Sequence, residues 1–222
     1  MIISIYSRIR RLQKNLYKRL GYSLANRPAL GVEGIADHEP EMLLIGCVDA
    51  RLDPRKDIGI PHGKALIYRN IAALVAGKDG GAGDRLSVAA ALEFAVNSMH
   101  VQKIVVMGHT GCGGIAAFLQ GDHEETHHIY DYLKPLESVR AEAENKGGNK
   151  EKQAREMEKA AVAFSLENLM SYEAVANAVE QGKLQLQGWV IDTGNRLIWE
   201  MDPATGDFNP MGAGIKRNTT NK

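Results

Sequence analysis

The chain has only two cysteines among its 222 residues, Cys47 and Cys112. So few cysteines cannot build the disulfide scaffold of a small secreted protein, and they fit a reducing compartment where thiols stay free to bind metal or react. The sequence also lacks a charge excess, because lysine and arginine number 27 and so do aspartate and glutamate. Without a basic excess to neutralise phosphates, nucleic acid is not expected to be the main partner.

Long hydrophobic runs are missing as well. No apolar stretch reaches the length of a membrane span, so no membrane partner is expected. Hydrophobic residues make up 44% and charged residues 24%, which is usual for globular proteins. The length permits one domain with a large core and a short appendage. We therefore predict a single α/β domain over residues 36–222 and a separate segment over residues 1–35.

The first 20 residues contain six basic residues and no acidic one, and their apolar residues recur at steps of three and four. This spacing predicts an amphipathic helix. A secretory signal is a poor interpretation because no continuous apolar core exists, whereas an organellar transit peptide is a less favoured alternative. We favour a cytoplasmic protein in which residues 1–35 form a helical arm that packs on the chain's own core or on a neighbouring subunit.

The rest of the chain alternates between short apolar runs and segments with helical spacing. Continuous apolar runs predict strands buried on both faces, and alternation with helices predicts an α/β fold with a parallel sheet flanked by helices. A Thr-Gly-Asn turn between two strand patterns indicates a hairpin-like end. The predicted strands lie in residues 42–50, 64–70, 103–109 and 184–202, and the predicted helices in residues 83–99 and 130–181.

Both cysteines lie where predicted strands end. Cys47 closes the first buried strand, His109 closes a later one, and Cys112 follows in the loop. Sites in open α/β sheets form at the carboxyl ends of strands, so these three residues can converge. Two thiolates and one imidazole suit zinc, and three protein ligands leave a position for water, as in catalytic zinc sites. The alternative is that both cysteines are small buried hydrophobes.

Residues next to the candidate ligands add to the site. Asp49 and Arg51 lie two and four positions after Cys47, and in an extended segment all three would face one side. The arginine would keep the aspartate ionised, although a plain surface ion pair is the alternative. Glycines around Cys112 let the backbone approach a metal closely, and we take Gly113 as a candidate substrate-binding residue.

In these residues the chain resembles a β-class carbonic anhydrase. That family pairs Cys-x-Asp-Ser-Arg with a later His-x-x-Cys, which correspond here to residues 47–51 and 109–112. Further similar stretches are 68–75, 93–114 and 164–197. The resemblance therefore covers about residues 40–200, and several motifs in the right order are far more specific than one.

The resemblance implies both a site and an activity. Cys47, His109 and Cys112 would bind Zn²⁺, and Asp49 with Arg51 would form the catalytic pair beside it. The fold would be a mainly parallel four-stranded sheet with an added antiparallel strand, in a homodimer or higher even oligomer. The activity would be that of a lyase, the reversible hydration of carbon dioxide to bicarbonate and a proton by zinc-bound hydroxide.

The sequence departs from the family in places that bear on substrate contacts and on regulation. Ala50 stands where the family has serine, and residues 52–67 lack the glutamine of the plant-type branch. In the bicarbonate-regulated bacterial branch a tryptophan stands three residues before the first cysteine, whereas here that position is Leu44. Arg69, which belongs to that branch's regulatory cluster, is present.

Two other functions stay open at this point. The same zinc site could hydrolyse COS or CS2, or the protein could be a non-catalytic zinc-bound assembly protein. The histidine- and acid-rich stretch at residues 122–128 could suggest a second metal site, but we interpret it as a solvated surface segment because such clusters are only compositional signals.

Overall fold

A computed structural model describes residues 38–79 and 85–211, and these belong to one compact unit that begins at Asp37. The arm predicted at residues 1–35 lies outside the described residues, so it and its boundary stay predictions. The same holds for the first residues of the helix predicted at 83–99.

Within the described residues, the chain forms a six-stranded sheet in the order β2-β1-β3-β4-β5-β6. The first four strands pair in parallel, and β5 and β6 are antiparallel additions at one edge. The predicted parallel sheet with an antiparallel end is therefore confirmed, while β6 was not predicted. The strands are β1 (Met42–Cys47), β2 (Ala65–Asn70), β3 (Lys103–His109), β4 (Gln185–Ile191), β5 (Ile198–Met201) and β6 (Phe208–Pro210).

Helices cover both faces of this sheet. The helix at Arg85–Glu93 continues directly into a π-helical turn at Phe94–Ser98. Of the helices that the structure describes, none has the length and apolar character needed to cross a bilayer. The α-helices are α1 (Pro54–Ile58), α2 (Arg85–Glu93), α3 (Gly113–Gln120), α4 (His127–Leu133), α5 (Glu137–Gly147), α6 (Lys150–Leu169) and α7 (Glu173–Glu180). Short 3₁₀ turns lie at Ile71–Ala73, Glu124–Thr126 and Lys134–Leu136.

The central strand β3 shows why its sequence is continuously apolar. Ile104 and Val106 pack into the core on one face of the sheet, and Val105 and Met107 pack into the core on the other. Successive side chains of a strand point to opposite faces, so a strand covered on both sides needs apolar residues at every position. The sheet therefore separates two cores, and its strand ends are held firmly in place.

Helix α6 approaches the sheet closely through two glycines of the central strands. A Cβ atom at Gly108 would lie 2.6 Å from Val162 Cγ2, and one at Gly188 would lie 2.6 Å from Leu166 Cδ1 and 2.9 Å from Val162 Cγ1. Such separations are far below ordinary carbon contacts. The two glycines therefore fix how near α6 can lie to β3 and β4.

We predict that Gly188→Ala destabilises the protein and leaves the predicted metal site intact. Overpacking costs about 1–3 kcal/mol, whereas the lower entropy of the unfolded chain returns about 0.4–1 kcal/mol, so the net loss should be about 1–2 kcal/mol. Denaturant unfolding measures this loss, and metal analysis checks that the site survives. An unfolding free energy equal to that of the wild type would contradict the close packing of α6 on β4.

Candidate active site

The predicted ligands converge at the carboxyl edge of the sheet. Cys47 is the last residue of β1, His109 is the last residue of β3, and Cys112 stands at the N-cap position of α3. Because β1 and β3 are parallel neighbours, their ends lie side by side. The three side chains are buried, and one potential ligand atom from each lies within 4.8 Å of the others. In residues 38–79 and 85–211, this is the one such cluster of histidine, cysteine and acidic groups.

The geometry and chemistry of the cluster fit zinc. Tetrahedral zinc with bonds of about 2.3 Å to sulfur separates two thiolates by about 3.8 Å, and the Cys47 and Cys112 sulfurs lie 4.0 Å apart. His109 Nδ1 lies 3.1 Å from the Thr110 carbonyl oxygen, so it carries the proton and donates it there. The other ring nitrogen, Nε2, is buried and has no hydrogen-bond partner. A buried lone pair without a partner, on a ring oriented through its other nitrogen, is what a metal ligand requires.

The thiols also favour a cation electrostatically. A hydrogen bond from the Cys112 thiol lowers the pKa of Cys47, and the same interaction raises the pKa of Cys112. Burial acts to lower the pKa of His109, but the negatively charged Cys47 sulfur nearby outweighs it and raises that pKa. A divalent ion between the two sulfurs would stabilise both as thiolates.

Asp49 and Arg51 form a bidentate pair beside the cluster. Asp49 Oδ1 accepts from Arg51 Nε at 2.9 Å and Oδ2 accepts from Nη2 at 2.7 Å. These hydrogen bonds hold the pKa of Asp49 well below its usual range. Asp49 Oδ2 lies 3.9 Å from His109 Nε2, so the carboxylate is adjacent to the ligand atoms while its oxygens face the arginine. Asp49 therefore lies beside the three-ligand cluster and is not one of its members.

The extended geometry expected for residues 47–51 is wrong beyond Val48. The chain turns at Ala50 and Arg51, and the Leu52 amide donates to the Asp49 carbonyl. The Asp49 side chain accepts from the Arg51 amide at 2.9 Å, so the aspartate stabilises this turn itself. The pair forms because the turn brings the two side chains together, and not because alternate residues of a strand share a face.

Two arginines donate hydrogen bonds to the backbone of the segments that carry the candidate ligands. Arg51 Nη2 donates to the Gly111 carbonyl at 2.8 Å, which links the first motif to the second. Arg69 donates to the carbonyls of Cys47, at 2.8 Å, and of Asp49, at 2.7 Å. Arg69, noted in the sequence for regulation, therefore supports the backbone on both sides of Val48.

One buried acid was missed by sequence reasoning. Glu158 of α6 accepts a hydrogen bond from the Cys112 amide at 3.0 Å and pairs with Arg155 at 2.7 Å. Burial raises the pKa of Glu158, and the two donors oppose this shift. A signal existed, because Glu158 falls in helical register with the buried Ala161 and Val162.

The three glycines next to Cys112, at positions 111, 113 and 114, have distinct environments. A Cβ atom at Gly114 would lie 2.7 Å from Ile71 Cγ2, so this residue is held to glycine by close packing. Gly111 has φ of 69°, the left-handed conformation that glycine adopts without strain. Gly113 is exposed at the start of α3, with no atom within 4 Å of where its Cβ would be. Its role in substrate binding stays a prediction.

The stretch at residues 122–128 lies on the surface, as expected. His127 contacts Asp122 at 2.9 Å through Nδ1 and Asp131 at 3.2 Å through Nε2. About half of each of these side chains is exposed to solvent. These contacts account for the cluster as ordinary surface ion pairing.

Known proteins with similar sequences are carbonic anhydrases, and the similarity covers the candidate ligands. The carbonic anhydrase family matches residues 42–197. Chloroplastic β carbonic anhydrase 5 of Arabidopsis thaliana is 37% identical over 70% of this chain and 52% of its own length. Mitochondrial β carbonic anhydrase 6 of the same plant is 32% identical over 67% of this chain and 52% of its own length. The chain thus spans about half the length of these two curated relatives.

Solved structures give the same result for the fold. The β-carbonic anhydrase CcaA superposes with a TM-score of 0.73 at 25% identity, over 92% of this chain and all of that one. The β-carbonic anhydrase CafA of Aspergillus fumigatus superposes with a TM-score of 0.66 at 27% identity, over 90% of both chains. With the family match across the sheet and both ligand motifs, the chain belongs to the β class of the carbonic anhydrase family.

Proposed function

We propose that this protein catalyses the zinc-dependent, reversible hydration of carbon dioxide to bicarbonate and a proton, which makes it a lyase of the carbonate dehydratase type. The observation that carries the proposal is the buried Cys47–His109–Cys112 cluster, with an unpartnered histidine nitrogen, beside an ionised carboxylate. Zinc in such a site supplies a water ligand whose pKa is lowered toward about 7, so that a nucleophile exists at neutral pH.

The chain's own residues would orient the attacking group and bind the product. Asp49 stays ionised because Arg51 holds it, so its Oδ2 can accept a hydrogen bond from the attacking group and orient that group toward the substrate carbon. Gly113 provides an exposed backbone N–H in the first turn of α3, which has no partner within the helix and suits an anionic product. We propose Asp49 and Arg51 as the catalytic pair and Gly113 as a substrate contact.

The two alternative functions are less well supported. Hydrolysis of COS or CS2 would use the same ligands, but the relatives named above are carbonic anhydrases. A structural zinc usually has four protein ligands, and the cluster found in the described residues has three. A non-catalytic role would also not require an ionised carboxylate beside the cluster.

The test is metal analysis followed by turnover of the purified full chain. We expect about one zinc per chain, as a single three-ligand site requires, and CO2 hydration in stopped flow that a chelator removes and zinc restores. COS and CS2 are measured in parallel. Zinc binding with turnover on COS or CS2 alone, or with no turnover, would reject the proposal in favour of the corresponding alternative.

For assembly, we propose a homodimer or a higher even oligomer. The described unit exposes large apolar side chains at Val48 and Phe94, 49% and 45% accessible, which a partner would cover. The related β-carbonic anhydrases of Sordaria macrospora are tetrameric. Sedimentation of the full chain should give an even multiple of the 24.3 kDa mass, and a monomer at micromolar concentration would contradict the proposal.

For location, we propose the cytoplasm on the basis of cysteine usage. The curated relatives named as chloroplastic and mitochondrial support organellar import as the alternative. Fractionation of cells expressing the full chain with a C-terminal tag distinguishes the two. Recovery of the protein in an organelle, shortened at its N-terminus, would contradict the cytoplasmic proposal.

We predict that the enzyme lacks strong bicarbonate allostery. Leu44 is fully buried in the core and has no side-chain N–H, so an anion at that place would lose a hydrogen bond and face a desolvation cost. Arg69 is engaged by the carbonyls of Cys47 and Asp49. The hydration rate should therefore rise with pH along one simple titration. Steep, cooperative loss of activity below neutral pH, deepened by bicarbonate but not by chloride, would contradict this.

A further inference from the structure

The buried carboxylate of Glu158 lies against the ligand loop, the segment between β3 and α3 that carries Cys112. It belongs neither to the three ligands nor to the proposed catalytic pair. The Glu158 side chain is only 3% exposed. A charge in that position is costly unless it is paired and hydrogen-bonded. Packing alone would favour an apolar residue there, so the acid needs another explanation.

Both of its oxygens have partners, and the two partners differ. Oε2 accepts from Arg155 Nη1 at 2.7 Å, one turn earlier on the same helix. Oε1 accepts from the backbone amide of Cys112 at 3.0 Å, across 46 residues of sequence. The arginine anchors the carboxylate to α6, and the carboxylate in turn holds the ligand loop.

The loop is held at a single peptide group. The N–H of the Gly111–Cys112 peptide donates to Glu158, and the carbonyl of the same peptide accepts from Arg51 Nη2 at 2.8 Å. A peptide group is planar, so a rotation of this unit would break both bonds together. Gly111, at φ of 69°, and Gly113 flank Cys112 and make the loop intrinsically free to rotate.

The same arginine nitrogen also binds Asp49, the other member of the proposed catalytic pair. Arg51 Nη2 donates both to Gly111 O and to Asp49 Oδ2. The orientation of one peptide therefore sets the position of the Cys112 sulfur on one side and of the guanidinium on the other. A fixed outer partner of this kind is how proteins orient ligands and catalytic groups.

We propose that Glu158 is a positioning residue: through the Gly111–Cys112 peptide it holds the Cys112 sulfur and the Arg51 guanidinium in one arrangement. The proposal rests on the proposed function for its effect on turnover, but its effect on the metal site can be measured without any CO2 assay. Arg155 acts through Glu158 as the anchor of the carboxylate.

The first test compares two replacements of nearly equal size. Glu158→Met removes the acceptor, and Glu158→Gln retains a carbonyl oxygen for the Cys112 amide. Both should fold, because Arg155 is 36% exposed and can turn to solvent, so that neither replacement leaves an uncompensated buried charge. The matched control is Glu156→Gln, which removes the charge of an acid that lies on the same helix and pairs with Lys159.

The readouts are zinc release to a chelator and the thiolate-to-metal absorption of the cobalt-substituted protein. Glu158→Met should release zinc about 10–100-fold faster and shift the cobalt bands, in the range typical of a lost outer partner. Glu158→Gln should stay within about 3-fold of wild type, as should the control, because its amide oxygen still accepts. Equal release by the Gln and Met variants, or a Met variant that is folded and releases zinc like wild type, overturns the proposal.

The second test asks whether Glu158 acts on the same peptide as Arg51. The effect of Glu158→Met on kcat/KM, about 10-fold or more in wild type, should shrink to less than about 3-fold in an Arg51→Ala background, because residues in one network are not additive. A purely structural role would give the same factor in both backgrounds, and that result would overturn the proposal. If Glu158→Met cannot be recovered folded, Glu158→Gln decides, since its zinc release must stay near wild type.

Discussion

Replacing Cys112 by serine is expected to remove most of the bound zinc and nearly all CO2 turnover. The Cys112 sulfur is buried, lies 4.0 Å from the Cys47 sulfur, and belongs to a cluster of three ligand atoms within 4.8 Å. A serine hydroxyl is a harder and far less acidic group than a thiol, so it would not supply the second thiolate. Zinc affinity should fall by more than the about 10–100-fold that the loss of an outer partner costs.

Metal analysis after dialysis against a chelator checks this expectation, with stopped-flow hydration measured on the same samples. His127→Gln is the matched control, because it alters the histidine- and acid-rich surface segment and should leave zinc unchanged. Cys112→Ser protein with full zinc and full activity would show that the site has been assigned wrongly. Zinc loss in the His127 variant would place the metal in the surface segment instead.

The sequence predicted the sheet and the ligand cluster because both depend on strong local patterns. The apolar residues of β1 and β3 indicated strands covered on both faces, and Cys47 and His109 stand at their carboxyl ends. Parallel neighbouring strands end at the same edge of a sheet, so the side chains meet there. The three-residue strand β6 was missed because Phe208–Pro210 is too short to show any periodicity.

The hydrogen bonds that hold the ligand loop could not be predicted from the sequence in the same way. The contact of Glu158 with Cys112 spans 46 residues, and that of Arg51 with Gly111 spans 60 residues. The first contact depends on where α6 lies against the sheet, which is set by the close approach at Gly108 and Gly188, and the second depends on the conformation of the turns that follow β1 and β3. A turn stabilised by the Asp49 side chain likewise replaced the extended segment that the residue spacing suggested.

Asp49→Asn is expected to keep zinc and lose turnover. Asparagine retains the shape of the side chain, and Asp49 is not a member of the three-ligand cluster, so metal content should match wild type. Its amide is neutral, and only one of its two terminal atoms can accept a hydrogen bond. The bidentate hold of Arg51 on two carboxylate oxygens is then lost.

The size of the loss follows from what the carboxylate does. Arg51 holds the pKa of Asp49 well below its usual range, so the wild-type group stays charged from mildly acidic to alkaline pH. Removing a charged acceptor at the reacting group costs roughly 10²-fold or more in kcat, the range typical of lost acid–base or electrostatic groups. Because the group is charged throughout, the deficit of Asp49→Asn should be the same from mildly acidic to alkaline pH.

The control for this variant is Asp53→Asn, a carboxylate four residues further along that pairs with Lys56 on the surface. It should hydrate CO2 at the wild-type rate, since exposed pairs contribute little. Zinc content and kcat, measured on all three proteins over the same pH range, separate the outcomes. An Asp49→Asn protein as fast as wild type would reduce the pair with Arg51 to a structural contact that shapes the turn after β1, whereas one that is slow but also metal-free would make Asp49 a zinc ligand.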